Sequence, residues 1–276
     1  DPESIKKLIT SKTKGIVAVD FTGQAVQLDE IREIARENNL ILIEDAAHAI
    51  GTKYKGQPIG SIADMTCFSF HPVKTVTSGE GGAVTTNDEQ LYRKLLRLRT
   101  HGITRNQDEM CHPTDALWYN EMVELGYNYR TTDFQAALLC SQLNKLDRFS
   151  ARRKEIVKKY NEAFDKMPEI IVQKEIPESD TTRHLYVIRL NMELLTCTRR
   201  QFFDALYAEN VCPQVHYLPV YMHSYYEKLE YKKGICQEAE AYYESSMSIP
   251  LYPSLTDDDV NSVIAAVKKV VDYYRK

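Results

Sequence analysis

Residues 15–45, GIVAVDFTGQAVQLDEIREIARENNLILIED, contain the pattern that decides the fold. A short β-branched run, Gly15–Asp20, is followed by residues 28–38, in which apolar side chains recur at helical spacing. A second continuous apolar run, Leu40–Ile43, comes next. Apolar runs joined by a helix predict a parallel pair of strands in a sheet that is covered on both faces.

Strand and helix patterns continue in the same order beyond this segment. Apolar runs at Met65–Phe70 and at residues 83–86 predict further strands, and Asp88 supplies N-cap chemistry for the helix that follows. Residues 131–133, Thr-Thr-Asp, supply N-cap chemistry for a long helix, along which an apolar stripe runs from Phe134 to Phe164. The first half of the chain is therefore predicted to be an open, mostly parallel α/β sheet.

We predict two domains of unequal size. The first, residues 1–147, is a large α/β domain, and the long helix joins it to a smaller α+β domain at residues 148–276. Within the smaller domain, a strand is expected at His184–Leu190, a helix at Thr198–Glu209 and a second strand at Val211–Tyr217.

The composition excludes several classes of function. Hydrophobic residues make up 43% and charged residues 27% of the chain, which is typical of folded globular proteins. A formal charge of -4 provides no broad positive field for nucleic acid or an anionic bilayer. Because no signal pattern or bilayer-length apolar stretch is present, we expect a cytoplasmic protein. The six cysteines are far apart, so reduced thiols are expected, and we predict no metal site.

Asp45 follows the apolar run that ends at Glu44, so it is predicted to lie at the carboxyl end of a parallel strand. Open α/β sheets bind their ligands at this edge. A carboxylate there can hold a pyridinium nitrogen in its charged form, and His48 comes three residues later. Taken alone, the same residues also fit a solvated strand end or a helix cap.

Lys74 follows the strand Cys67–Phe70 and a His71-Pro72 turn, and precedes the glycine-rich stretch Ser78–Gly82. Glycines permit close backbone approach and positive φ angles, which suits a loop packed around a flat ligand. A lysine that attacks an aldehyde must lose a proton, and desolvation at a covered site promotes that loss. The alternative is an exposed lysine on a surface loop.

Three motifs occur in order, each after a predicted strand: Asp-Ala-Ala-His at 45–48, Ser-Phe-His-Pro-Val-Lys at 69–74 and Gly-Glu-Gly-Gly at 79–82. Together they resemble the DegT/DnrJ/EryC1/StrS family of sugar aminotransferases. The resemblance extends to Gly126–Arg130 and to the helix start Asp133–Ala137. It implies the fold-type I architecture of pyridoxal-phosphate enzymes.

The resemblance also implies a role for each matching residue. Lys74 is expected to bind pyridoxal 5'-phosphate (PLP) covalently and to move a proton between substrate and cofactor. Asp45 would pair with the ring nitrogen, His48 would lie beside the ring and Ser69 would contact the phosphate. Asn128 would reach the phosphate region from a second subunit, so a homodimer with shared active sites is expected.

The segment Val215–Tyr221 resembles the sugar-facing segment of one branch of this family. That branch makes UDP-4-amino-4,6-dideoxy-N-acetyl-β-L-altrosamine, on the route to pseudaminic acid, and His101–Arg105 resembles it too. Its members transfer an amino group from an amino acid, by resemblance glutamate, to a 4-keto sugar. The predicted substrate-binding residues are Val215, His216, Tyr217 and Leu218. A half-buried strand with aromatic packing remains the alternative for this segment.

The resemblance begins after the loop with which the family holds the cofactor phosphate, so we expect the N-terminal part of the large domain to be missing. This expectation motivates a second hypothesis, a catalytically impaired fragment that only dimerises or binds nucleotide sugar. A third, a PLP-dependent sugar dehydratase, is disfavoured because that branch carries histidine where this chain has Lys74.

Overall fold

The computed structural model describes residues 1–276, which form two compact units. The first comprises residues 1–21, 25–146 and 178–180, and the second comprises residues 22–24, 147–177 and 181–276. Each unit thus includes a short segment from the sequence range of the other, which the predicted domains did not anticipate. No helix combines the length and the apolar composition needed to cross a membrane.

The helices are α1 (Pro2–Leu8), α2 (Leu28–Glu37), α3 (Glu89–Leu98), α4 (Asp133–Leu143), α5 (Leu146–Phe164), α6 (Arg199–Ala208), α7 (Ser224–Glu227), α8 (Gln237–Ser245) and α9 (Asp257–Tyr274). The strands are β1 (Gly15–Val19), β2 (Ile41–Asp45), β3 (Lys53–Tyr54), β4 (Gln57–Pro58), β5 (Met65–Ser69), β6 (Gly82–Thr85), β7 (Ile103–Thr104), β8 (Glu121–Met122), β9 (Ile170–Val172), β10 (Ser179–Asp180), β11 (Tyr186–Leu190) and β12 (Ser246–Ile249).

The first unit is built on a four-stranded sheet in the order β1-β2-β5-β6. Strands β1, β2 and β5 are parallel, and β6 runs antiparallel to β5. This arrangement confirms the predicted mostly parallel α/β sheet. The apolar stripe of α2 covers one face, where Ile31 and Ala35 pack with Ala18 and Leu42 in a buried cluster. The helical spacing therefore identified the packing face of α2 correctly.

The opposite face of this sheet is open where β1 and β2 lie. Val17, Val19 and Ile41 are 63%, 50% and 41% exposed, whereas Leu42 is 1% exposed. Successive side chains of a strand point to opposite faces, so these three residues share one side. The prediction of a sheet covered on both faces is therefore wrong for these two strands.

The predicted long helix is divided into α4 and α5. Thr132 caps α4 through a capping box with Gln135, as the N-cap residues at this position predicted. The backbone then leaves the regular helix at Asn144 and Lys145, where Lys145 N donates to Gln142 O in a tightened turn. Phe134 of the predicted stripe is 91% exposed. A hydrophobic stripe alone does not establish that its helix is continuous or buried.

The second unit contains the antiparallel sheet β12-β11-β9, packed with α5, α6 and α9. Its core includes Tyr160, Phe164, Phe202 and Met247, each fully buried. The strand predicted at His184–Leu190 and the helix predicted at Thr198–Glu209 are present as β11 and α6. The strand predicted at Val211–Tyr217 is absent, because only an isolated bridge between Gln214 and Ser248 forms there.

Candidate functional site

Asp45 lies at the carboxyl edge of the parallel strands of the first unit. It pairs with Val19 of β1 on one side and with Cys67 of β5 on the other. Its carbonyl accepts from Asp20 N at 3.0 Å, and its carboxylate Oδ1 accepts from Ala47 N at 3.1 Å. The backbone therefore fixes Asp45 at the position where open α/β sheets bind ligands.

Alternation along β2 separates Asp45 from its neighbour Glu44. Leu42 and Glu44 are buried on the face covered by α2, whereas Asp45 is half-buried and points to the other face with its register partner Cys67. Burial, together with the Asp45 charge, raises the pKa of the Cys67 thiol. Asp45 is thus a carboxylate at the open side of the strand ends.

Lys74 is held by the loop that joins β5 to β6. Phe70 N donates to Gly81 O at 2.9 Å and Ser78 N donates to Phe70 O at 3.0 Å, which closes the loop at its base. Lys74 N donates to His71 O at 3.0 Å, which forms a turn immediately before the lysine. Gly81 has a φ of 154°, and a Cβ there would lie 2.5 Å from Ser78 Oγ. This position therefore requires glycine.

The Lys74 amine is partly removed from water and lies within reach of the Asp45 charge. Desolvation lowers the pKa of Lys74, and the negative charge of Asp45 opposes that shift. Because the neutral amine is the nucleophile, a lowered pKa increases the reactive fraction at a given pH.

The other predicted residues occupy different surroundings. His48 is 8% exposed, and its ring centroid lies 6.0 Å from that of Phe21. Ser69 Oγ accepts from His71 N at 3.4 Å, so the serine hydroxyl lies at the start of the Lys74 loop. Glu80 acts on the same loop through its backbone, because its carbonyl accepts from Ser78 Oγ at 2.8 Å. This contact helps to order the turn that precedes β6.

Asn128 lies on an exposed segment that forms a bridge with Thr100. None of its hydrogen bonds reaches Asp45 or Lys74. The backbone beside it is tightly packed, since any Cβ on Gly102 would overlap with the carbonyl of Glu124. The structure thus does not bring Asn128 into the Asp45–Lys74 cluster within one chain.

The predicted substrate residues lie on an irregular segment of the second unit. His216 Nδ1 lies 2.6 Å from Ser248 Oγ, and the ring centroids of His216 and Tyr217 are 4.6 Å apart. Tyr217 is 54% exposed, while Val215 and Leu218 are half-buried. The His-Tyr pair is therefore anchored at the histidine and open to solvent at the tyrosine.

Sequence reasoning missed one feature of this site. Asp20, which follows β1, and Glu44 are both 0% exposed and lie behind Asp45 on the covered face. Acidic residues are rarely buried completely without a partner. The signal available in the sequence was that Asp20 ends the first apolar run and Glu44 ends the second, so parallel pairing of the two strands brings both acids to the same sheet edge.

These residues fit PLP by their chemistry. Lys74 supplies a partly desolvated amine for the cofactor aldehyde, and Asp45 supplies a carboxylate for a protonated ring nitrogen. His48 supplies an aromatic ring and Ser69 a hydroxyl near the same strand ends. The set therefore combines the groups that bind and activate such a cofactor.

Comparisons with known proteins point to the same chemistry. Residues 1–268 match the model of the DegT/DnrJ/EryC1/StrS aminotransferase family. A Campylobacter jejuni protein named UDP-4-amino-4,6-dideoxy-N-acetyl-β-L-altrosamine transaminase is 38% identical over 261 residues, which are 95% of this chain and 66% of that protein. The solved structure of Helicobacter pylori PseC, an aminotransferase involved in the biosynthesis of pseudoaminic acid, is 29% identical. It has a TM-score of 0.91 over 99% of this chain and 71% of its own.

A Streptococcus pneumoniae sugar aminotransferase homologue solved in its PLP form has a TM-score of 0.88 at 28% identity, over 99% of this chain and 72% of its own. The predicted fold-type I architecture is thereby confirmed. The chain spans about two thirds to seven tenths of the length of these relatives. Their likeness does not favour the hypothesis of a non-catalytic binding module. The chain belongs to the DegT/DnrJ/EryC1/StrS aminotransferase family, whose cofactor is pyridoxal 5'-phosphate.

Proposed function

We propose that this protein transfers an amino group from an amino acid, glutamate, to the 4-keto group of a UDP-linked deoxysugar. The observation that carries the proposal is the half-buried Lys74 amine, whose pKa is lowered by desolvation while Asp45 acts on it from the strand edge. The name of the Campylobacter jejuni relative supports a UDP-linked deoxysugar, and the Helicobacter pylori aminotransferase supports a sugar of the pseudaminic acid route as the acceptor.

Each candidate residue has a specific role in this proposal. PLP, when bound, supplies an electrophilic carbon for the amine and a ring that accepts electrons. Lys74 Nζ holds the cofactor and afterwards takes and returns the proton of the substrate carbon. Asp45 would keep the ring nitrogen protonated through its charge. His48 would hold the ring, and Ser69 would donate its hydroxyl to the phosphate.

The proposal includes a homodimer in the cytoplasm. Asn128 is exposed in the single chain, which suits a residue that completes the site of a second copy. Val215, His216, Tyr217 and Leu218 are proposed to bind the nucleotide sugar. A histidine and a tyrosine can donate to diphosphate or sugar hydroxyls, and their rings can stack on a base.

Amine transfer can be measured in its two halves. The protein with PLP is expected to change its visible absorbance when glutamate is added and to recover it when the UDP-linked 4-keto sugar is added. With isotopically labelled glutamate, mass spectrometry should detect the label in an amino sugar. A colour change without labelled sugar would contradict the acceptor, and no colour change would contradict the amine transfer itself.

The His-Tyr pair should affect only the sugar half of the reaction. His216→Ala and Tyr217→Ala are each expected to raise KM for the nucleotide sugar about tenfold, the loss of about 1.4 kcal/mol in binding. The colour change with glutamate should stay as in the unaltered protein. Tyr207→Ala is the matched control, because Tyr207 is 63% exposed on α6. Equal changes in both halves would argue against a sugar-binding role.

A further inference from the structure

Two carboxylic acids behind Asp45 take no part in the roles proposed above. Asp20 follows β1 and Glu44 directly precedes Asp45 in β2, and both side chains are 0% exposed. Their backbones are neighbours, because Ala18 pairs with Glu44 and Val19 with Asp45 in the parallel register. The two acids therefore meet at the carboxyl ends of adjacent strands, on the face covered by α2.

The hydrogen bonds of the two carboxyl groups leave one oxygen on each without a donor. Asp20 Oδ1 accepts from Val26 N at 3.0 Å, and Glu44 Oε2 accepts from Thr66 Oγ1 at 2.9 Å. Asp20 Oδ2 and Glu44 Oε1 are buried and have no such partner. A buried oxygen without a donor costs free energy, and two facing carboxylates repel each other. One proton between these oxygens removes both penalties.

The surroundings favour retention of that proton. Burial raises the pKa of both groups, and for Asp20 the negative charges of Glu44 and Asp45 add to the shift. The donors from the packed elements are neutral: Val26 N ahead of α2, Gly60 N before β5 and Thr66 Oγ1 in β5. The largest influences on the two acids include no cationic side chain. These surroundings therefore favour one proton retained between Asp20 Oδ2 and Glu44 Oε1.

The pair is connected to Asp45 through the backbone and through hydrogen bonds at the ends of three strands. Asp20 N donates to the Asp45 carbonyl at 3.0 Å, and Glu44 is covalently joined to Asp45. Thr66 extends the network to β5, whose Cys67 carbonyl accepts from Ala46 N at 2.9 Å. The ends of β1, β2 and β5 are thus tied together immediately behind the Asp45 carboxylate.

We infer that Asp20 and Glu44 share one proton and act as a positioning pair that fixes the Asp45 carboxylate at the strand edge. The Asp45 carboxylate itself lies on the open side of the strand ends, where the ring nitrogen would lie. The positioning role rests on the proposed function of Asp45, whereas the shared proton can be tested without cofactor.

The first experiment tests for the shared proton in the cofactor-free protein, through the pH dependence of its stability. Because folding raises the pKa of Asp20 from 3.8 to about 9, stability from this group is complete below pH 3.8 and is lost as the pH rises through about 9. The free energy of unfolding, measured by urea titration across this range, should fall less steeply with pH in Asp20→Asn, whose amide still donates to Glu44. Glu44→Gln should flatten the same slope. Unchanged slopes in both variants would overturn the shared proton.

Infrared spectroscopy gives the same information without relying on a variant that folds poorly. The unaltered folded protein at neutral pH should show a protonated carboxyl band that disappears on unfolding and is missing in Asp20→Asn. A folded protein without this band at neutral pH would contradict the inference.

The second experiment measures positioning. Asp20→Ala, which leaves Glu44 Oε1 without a donor, should weaken PLP binding about tenfold, or about 1.4 kcal/mol. It should also shift the pH dependence of the visible absorbance of the bound cofactor, and Asp20→Asn should restore both properties. Glu169→Gln is the control, because this buried acid pairs with Arg275 in the second unit and should change stability without changing the absorbance titration.

The outcomes separate the inference from the proposed function. If Asp20→Ala binds PLP and titrates as the unaltered protein does, the positioning role is overturned even if amine transfer is confirmed. If Glu169→Gln changes the absorbance titration as much as Asp20→Ala does, the effect is general destabilisation and the positioning role is likewise overturned.

Discussion

Replacing Lys74 with methionine is expected to abolish amine transfer, with a rate loss of about 10⁴-fold. Methionine preserves an unbranched side chain but has no amine, so the half-buried position stays filled while the nucleophile and the proton carrier are both lost. Stability should change little, because Lys74 makes no side-chain hydrogen bond or ion pair that the variant would break.

Borohydride reduction followed by peptide mass spectrometry measures this prediction directly. The unaltered protein treated with PLP should carry the reduced cofactor on the Lys74 peptide, and Lys74→Met should carry none at that site. Lys55→Met is the matched control, since Lys55 is an exposed lysine of the same unit that pairs with Asp29 at 2.6 Å. A coloured, reduced sample with an unmodified Lys74 peptide would falsify the assignment of this residue.

The second large effect is expected at Asp45. Asp45→Asn keeps the size of the side chain and an oxygen for Ala47 N but removes the charge, so the protonated ring nitrogen loses its counter-charge. We expect amine transfer to slow about 10²-fold or more, comparable to the loss of one strong electrostatic contact in an active site. In the unaltered protein the Asp45 charge raises the pKa of Lys74 and so opposes the effect of desolvation. Without this charge, the pKa of Lys74 should fall further.

The change at Asp45 can be distinguished from unfolding by following the visible absorbance of bound PLP against pH. In Asp45→Asn the titration of the lysine linkage should move to lower pH, while the thermal midpoint stays near that of the unaltered protein. Asp29→Asn, which removes a carboxylate from an exposed ion pair, should leave the titration unchanged. An unchanged titration in Asp45→Asn would show that this carboxylate does not act on the cofactor.

Local chemistry made much of the fold predictable. The parallel register of β1 and β2 follows from two apolar runs around an amphipathic helix, and Thr132, Thr198 and Thr256 cap their helices with local side-chain hydrogen bonds. Asp45 and Lys74 were predicted from their places after strands, and the structure has both residues at those places. These features depend on residues that are close together in sequence, or on the carboxyl ends of parallel strands, which lie at the same edge of the sheet.

The features that were missed depend on contacts between distant segments. The interruption at Asn144 leaves the apolar stripe of α4 and α5 unchanged, so periodicity could not reveal it. Asp20 and Glu44 lie 24 positions apart and face each other only after β1 and β2 pair. Val211–Tyr217 has the composition of a strand, but backbone pairing there is limited to the bridge between Gln214 and Ser248. The sequence of this segment favours a strand, but tertiary contacts determine whether the strand forms.

The tight packing at Gly102 has a consequence for how Asn128 is presented. Because no side chain fits between Gly102 and the Glu124 carbonyl, the two backbone segments are in direct contact, and His101 N also donates to Tyr127 O at 2.7 Å. The backbone around Asn128 is therefore held in one conformation by these contacts and is not a flexible loop. A residue on such a preordered segment loses little conformational entropy when a second protein surface binds to it. The free-energy cost of binding is correspondingly smaller.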